Sequence, residues 1–345
     1  MKSAPVKKEK TFVSKAAGGV RDLTYPSRKR AIRLSPRAQI RPVEPGEADQ
    51  ALALLLADRG EEGPEMGGKT AAFRELARQE QYNLNRQMVG LYEGQMRHAC
   101  LFVPQAGGTA FVFLSRPAQT EATDAELWDL AVQTLRQLCR WAFVEGSNLL
   151  QVLLEPADFV RGELCLAGGF QRLTDLIYMF GTGNELPPPR HMGSGLSWLS
   201  YDRSHHDLFK QVIKQTYRHS LDCPELEELR EIEDVIRSHQ AAGEFDGRYW
   251  KVLFDRDQPV GVLLLVPLRT PEAMELTYMG LCPEARGRGL GGFMLREALA
   301  GAHQCQNRIL TLAVDCRNRT AYHLYSKFGF KTVLRRTVMI QSLRR

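Results

Sequence analysis

The chain has 345 residues, 46 of them Lys or Arg and 40 Asp or Glu, with a formal charge of +6. At roughly 100 to 200 residues per domain this length suits two domains, each long enough to bury a core. No run of 18 or more apolar residues occurs, which argues against a helical membrane span. The seven cysteines, Cys100, Cys139, Cys165, Cys223, Cys282, Cys305 and Cys316, are scattered and show no Cys-x-x-Cys pair or zinc-type spacing. Reduced thiols in a cytoplasmic protein, with neither a disulfide frame nor a metal site, are therefore expected.

The charge is concentrated at one end. Residues 1–37 carry eleven basic and two acidic residues, or +9, and the other 35 basic and 38 acidic residues give −3. This segment reads as a solvated, disordered arm suited to an acidic partner. Phe12 and Tyr25 are too few aromatics to argue for base stacking.

Residues 38–181 form the first candidate domain. Thr109–Leu114 reads as a strand, Glu126–Val144 as a helix and Leu149–Leu154 as a second strand, with no glycine anywhere from Thr109 to Glu145. Residues 182–195, with Pro187, Pro188 and Pro189 in a run, mark a linker, because proline extends neither helix nor strand. The second candidate domain spans 196–345. It opens with a strand at Leu196–Tyr201, then helices at His206–Tyr217 and Pro224–Ala242. A hairpin of Tyr249–Phe254 and Val260–Val266 follows around Asp255–Asp257. Strand 274–281, helix 291–304, strand 309–315, helix 319–328 and strand 330–340 complete it, and the two strands flanking helix 291–304 imply a right-handed parallel crossover.

The most informative stretch joins strand 274–281 to helix 291–304: Leu281-Cys-Pro-Glu-Ala-Arg286-Gly287-Arg288-Gly289-Leu290-Gly291-Gly. Gly287, Gly289 and Gly291 let the chain turn tightly and bring N–H groups close to an anion, with a helix N-terminus adding partial positive charge. Arg286 and Arg288 are suited to pairing with phosphates. A pyrophosphate fits this pattern. The glycine spacing differs from a dinucleotide fingerprint, and no Lys-Ser or Lys-Thr follows as a P-loop requires.

Leu-x-Pro-x-x-Arg-Gly-x-Gly-x-Gly resembles the acyl-CoA loop of the GNAT superfamily of N-acyltransferases. Asn318-x-x-Ala321-x-x-x-Tyr325-x-x-x-Gly329-Phe330 is similar to that family's second signature, in the right order and context. The resemblance covers about residues 196–343. It implies an α+β, three-layer α/β/α fold: two tandem acyl-CoA N-acyltransferase-like domains with mixed, centrally splayed sheets, the pantetheine arm lying in the gap of the second. It also implies acetyl-CoA as co-substrate, a small-molecule or protein amine as acceptor, and cofactor contacts from Leu281, Arg286, Gly287, Arg288, Gly289, Leu290, Gly291 and Asn318. Tyr325 is carried over as the acid for the CoA sulfur, since a phenol near pKa 10 suits a thiol leaving group near 8.5. Glu275 is the candidate general base, and strict alternation would set it on the face of Thr277, Met279 and Leu281. A non-catalytic acyl-CoA sensor, whose first domain or basic tail binds a protein or nucleic acid, is the alternative reading.

An internal repeat appears at an offset of 160 residues. Leu149–Glu155 falls on Ile309–Asp315, Gly169-Phe170 on Gly329-Phe330, Asp158 on Asn318 and Cys165 on Tyr325. With no glycine cradle and no tyrosine at that position, the first half reads as a degenerate copy of the second.

Overall fold

The computed structural model describes residues 32–57, 64–117, 124–182, 195–269, 273–304 and 309–343. Most of the basic arm and of the prolyl linker lies outside the described residues. The first half runs β1 (Ala38–Pro42), α1 (Ala48–Leu56), α2 (Pro64–Gln79), β2 (Gln87–Tyr92), β3 (Gln95–Gln105), β4 (Thr109–Leu114), α3 (Asp124–Val144), β5 (Leu149–Leu154), α4 (Phe159–Gly168) and β6 (Gln171–Gly181). The second half repeats that order as β7 (Leu196–Ser200), α5 (His206–Tyr217), α6 (Ile232–Ala241), β8 (Trp250–Asp255), β9 (Gln258–Pro267), β10 (Ala273–Leu281), α7 (Leu290–Gln304), β11 (Ile309–Asp315), α8 (Arg319–Lys327) and β12 (Lys331–Ser342). Among the described residues no helix is long and apolar enough to cross a membrane.

The repeat extends to detail. Asp158 caps α4 by accepting from the Arg161 N–H, and Asn318 caps α8 by accepting from the Ala321 N–H. Their backbones nearly coincide, at φ −86°, ψ 67° and φ −81°, ψ 66°. One expected element differs. The helix read over Pro224–Ala242 is a 3-10 turn at Pro224–Leu226 followed, after a break, by α6. Leu226 and Leu229 pack on the sheet beside Leu149, Val338 and Ile340, so tertiary burial overrides the helical propensity of Glu227–Arg230.

Among the described residues all twelve strands join one sheet in the order β1-β2-β3-β4-β5-β12-β6-β11-β10-β9-β8-β7. Two sheets were expected, one per half. The last strand of each half instead crosses over: β12 pairs with β5 and β6, and β6 pairs with β12 and β11, all antiparallel. The parallel pairs β4–β5 and β10–β11 hold for only three residues each, Thr109–Phe111 on Leu149–Gln151 and Ala273–Glu275 on Ile309–Thr311. Past those residues each pair splays.

Helices cover both faces of the second half. α5 turns Phe209, Val212, Ile213 and Thr216 inward at helical spacing, and with Ile236 of α6 they pack on Val252, Val262 and Leu264. On the other face α7 and α8 bury Met294, Leu295, Ala298 and Tyr325 against Leu263, Leu265, Met274, Leu310 and Leu312. The central strand β9 is buried on both faces, which explains its unbroken Val-Leu-Leu-Leu-Val run.

Candidate functional site

Strand β10 leads into a loop that a few residues shape. The Cys282 N–H donates to the Val260 carbonyl at 2.9 Å, and Pro283 then opens a 3-10 turn through Ala285. Gly287 and Gly289 both take left-handed φ, +76° and +84°, a conformation that costs a side-chain-bearing residue about 1–2 kcal/mol. Among the described residues the N–H groups of Gly287, Arg288 and Gly289 donate no hydrogen bond. Gly287 and Arg288 are exposed and Gly289 is half-buried, so these donors stand open beside the first turn of α7. Leu290 is buried and anchors the start of α7 in the core. Gly291 also has a packing task. It lies inside α7, where an added Cβ would stand 3.2 Å from Leu324, so its absent side chain lets α7 approach α8.

The two arginines of the loop divide. Arg286 points inward: its Nε donates to the Leu281 carbonyl at 3.1 Å, and its Nη atoms donate to the carbonyls of His219, Thr216 and Arg218 at 2.8–2.9 Å. Four of its five donors are thus engaged in tying the loop to the end of α5, which makes it a brace where a phosphate partner was expected. Arg288 stays at the surface, 2.6 Å from Asp255 Oδ2. Leu281 pairs with Gly261 of β9. Its neighbours on the opposite edge of β10 lie beyond the end of the β10–β11 ladder at Glu275 and Thr311, so backbone groups there face the gap without a strand partner.

Tyr325 is 7% exposed and packs 5.8 Å from Phe330 in the core under α7. Burial, with a smaller contribution from the charge of Asp222, pushes its phenol well above the usual value, so it stays protonated at neutral pH. Asn318 serves the helix cap described above.

Glu275 is not where alternation would set it. The register slips between Leu276 and Tyr278, leaving Thr277 as the extra residue of a bulge. Glu275 faces Val266 of β9 across the ladder, while Met279 and Leu281 pack into the core under α7 on the other face. It therefore sits at the closed root of the gap, near Tyr178, whose pKa its charge helps to raise. Burial raises the Glu275 carboxyl. The native state then holds this proton more tightly than the unfolded chain, so stability falls as pH rises from the ordinary glutamate value near 4.5 through the raised one. Glu275→Gln should be free of that loss: urea titrations from about pH 4 upward should show a stability gain over the parent that grows with pH and then levels. A gain independent of pH would contradict the assignment.

At the open end of the gap lies a group that the sequence reading missed. Asp222, in the turn after α5, accepts from the Asp315 N–H at 3.0 Å through Oδ1, and the Cys223 N–H donates to Asp315 Oδ2 at 3.1 Å. Asp315 is fully buried, yet hydrogen bonds from Arg317 and Thr174 outweigh that burial and hold its carboxyl below the ordinary range. Arg317 also forks onto Glu225 at 2.5 and 2.9 Å. The side chains of Asp222, Cys223 and Asp315 bring potential ligand atoms within 4.8 Å of one another. They suit a metal poorly, because Arg317 occupies Asp315 and burial keeps the Cys223 thiol protonated. Asp222 stands in an aperiodic Ser-Leu-Asp-Cys-Pro turn, and the only sequence signal for it was a carboxylate set between two acceptor-side helices.

In the first half the corresponding residues are engaged in packing and ion pairs. Cys165 is fully buried and its thiol is pushed up by burial to about 12, Gly168 packs where a Cβ would lie 2.6 Å from Leu135, and Asp158 is paired with Arg116 and Arg161.

The model of the acetyltransferase (GNAT) family matches residues 213–330. Peptidyl-lysine N-acetyltransferase YjaB of Escherichia coli K12 is 29% identical over 144 residues, covering 41% of this chain and 87% of the relative. The crystal structure of a GCN5-related N-acetyltransferase from Sphaerobacter thermophilus superposes with a TM-score of 0.58 at 17% identity, covering 91% of this chain and 98% of that one, which shows the shared fold. A tandem GNAT protein from the clavulanic acid biosynthesis pathway matches at a TM-score of 0.44 and 14% identity, over 88% of this chain and 98% of that one.

Proposed function

Because residues 213–330 belong to the GNAT acetyltransferase family, we propose that the chain transfers an acetyl group from acetyl-CoA to an amine, and that the second half carries the reaction. The observation that supports this most is the row of unbonded N–H groups at Gly287, Arg288 and Gly289, set at the start of α7 and beside the splay of β10 from β11. The residues present fit the cofactor. The loop amides and the start of α7 suit its pyrophosphate, Arg288 can add its exposed charge, and the unpaired edge of β10 near Leu281 suits the amide groups of the pantetheine arm and the thioester oxygen. Acetyl-CoA, when bound, supplies the activated acyl carbon. Tyr325, protonated and at the base of the same gap, would donate to the departing sulfur. The first half, with Cys165 buried and its helix α3 entered without a glycine turn, acts in this reading as a structural partner that lends β6 to the catalytic sheet.

Gly289→Asp tests the cradle. Asp tolerates a left-handed φ better than most residues, so the fold should persist, while a carboxylate beside the pyrophosphate should weaken acetyl-CoA binding by more than about tenfold in calorimetry. Unchanged affinity in a folded variant would place the phosphate site elsewhere.

A further inference from the structure

We propose that Asp222 receives the acceptor's ammonium group at the open end of the gap and takes its proton. The inference rests on the acetyl-transfer reading above and specifies the acceptor side of the same site. Asp222 is fixed at both ends: its N–H donates to Ser220 Oγ at 3.1 Å, and its Oδ1 accepts from the N–H of Asp315, the last residue of β11. Among the described residues no donor reaches its Oδ2 and no cation pairs with it, whereas the neighbouring Asp315 is covered by Arg317. One carboxylate oxygen is thus left for a partner from outside.

The surroundings suit a cation. Tyr217 and Tyr278 pack edge to face at 5.3 Å on the acceptor side, and the Tyr278 hydroxyl is held 2.9 Å from Thr216 Oγ1. Burial raises the pKa of Tyr217, Tyr278, Cys223 and Tyr325, and the charge of Asp222 adds to each rise, so all four lie within electrostatic reach of this carboxylate. An ammonium beside two tyrosine rings and one carboxylate is well matched. The titratable and charged groups that interact with Asp222 are Asp315, Arg317, Cys223, Tyr217, Tyr278 and Tyr325. Burial raises the Asp222 carboxyl, Asp315 adds to the rise, and the Asp315 N–H and Arg317 oppose it. A carboxylate tuned upward is a better proton acceptor than an ordinary one.

The protons balance. An acceptor R–NH3+ gives one proton to Asp222, and the freed amine attacks the thioester carbon, forming the C–N bond. As the C–S bond breaks its electron pair leaves on sulfur, which takes a proton from Tyr325, and the second proton lost by nitrogen restores the phenol. Asp222 returns its proton to solvent, so each turnover yields amide, CoA thiol and one proton.

Asp222→Asn keeps an oxygen to accept from the Asp315 N–H and removes only the charge. With n-butylamine as the acceptor probe, kcat/KM for the amine should fall by about 10²-fold or more near pH 7, with acetyl-CoA affinity within about twofold of the parent. The deficit should narrow as pH rises and free amine becomes abundant, a change that a purely structural role would not produce. Equal kcat/KM with the same pH profile in parent and variant would overturn the proposal. Should the parent bind acetyl-CoA without turning over this probe, calorimetry of n-butylammonium in the presence of CoA decides: at least tenfold weaker binding to the variant supports the assignment, and equal binding overturns it. Failure of the parent to bind acetyl-CoA would instead count against the acetyl-transfer reading itself.

Discussion

Replacing Tyr325 with phenylalanine should lower kcat by on the order of 10²-fold while acetyl-CoA affinity stays within about twofold, as expected when a positioned donor is lost. The substitution is clean because the ring lies in the core, 5.8 Å from Phe330, and among the described residues its hydroxyl has no hydrogen-bond partner. Stability should therefore hold, since the hydroxyl is removed without stranding a partner. Single-turnover kinetics with pre-bound acetyl-CoA separates the chemical step from product release. Parental turnover in the variant would leave Tyr325 as a packing residue alone.

Arg286→Ala should act on the scaffold. Removing the guanidinium strands four backbone carbonyls, those of Thr216, Arg218, His219 and Leu281, and unfastens the loop from the end of α5. Hydrogen bonds to charged groups are worth about 1.5–3 kcal/mol each, but water reaches this half-buried site, so a net loss of about 2–4 kcal/mol is expected in urea denaturation. Arg286→Lys should recover little, because an ammonium cannot match a fork aimed at four separate oxygens. Acetyl-CoA affinity should fall with stability in both variants. A folded, fully stable Arg286→Ala with weakened cofactor binding would instead return this side chain to direct phosphate contact.

What was legible in the sequence was local. The glycine and proline punctuation of 281–292 marks a turn before a helix, the Asn318 cap opens α8, and helical spacing identifies α5, α7 and α8. Each depends on residues within a few positions of one another. The bulge at Thr277 has no glycine or proline to announce it, so alternation placed Glu275 on the wrong face. The inward brace made by Arg286 was not legible because its partners include main-chain oxygens some 70 residues away, and a carbonyl leaves no trace in composition. Asp222 gains its meaning from Asp315, 93 residues distant, through a contact that no periodicity encodes. The single sheet was hidden for the same reason, because the choice between β5 and β11 as neighbours for β12 is made by edges that look alike in sequence.

The crossing of β6 and β12 has a consequence for how the chain comes to exist. As synthesis proceeds, β5 acquires its antiparallel neighbour only after residues 331–342 have been made, and β6 must wait for the same segment and for β11. Until then the nascent first half carries an unprotected strand edge, a surface prone to pairing with other chains. Closure of the sheet is thereby deferred until the second half has been made, and the slowest step of folding should be the seating of β12 between two partners made roughly 150 to 190 residues earlier.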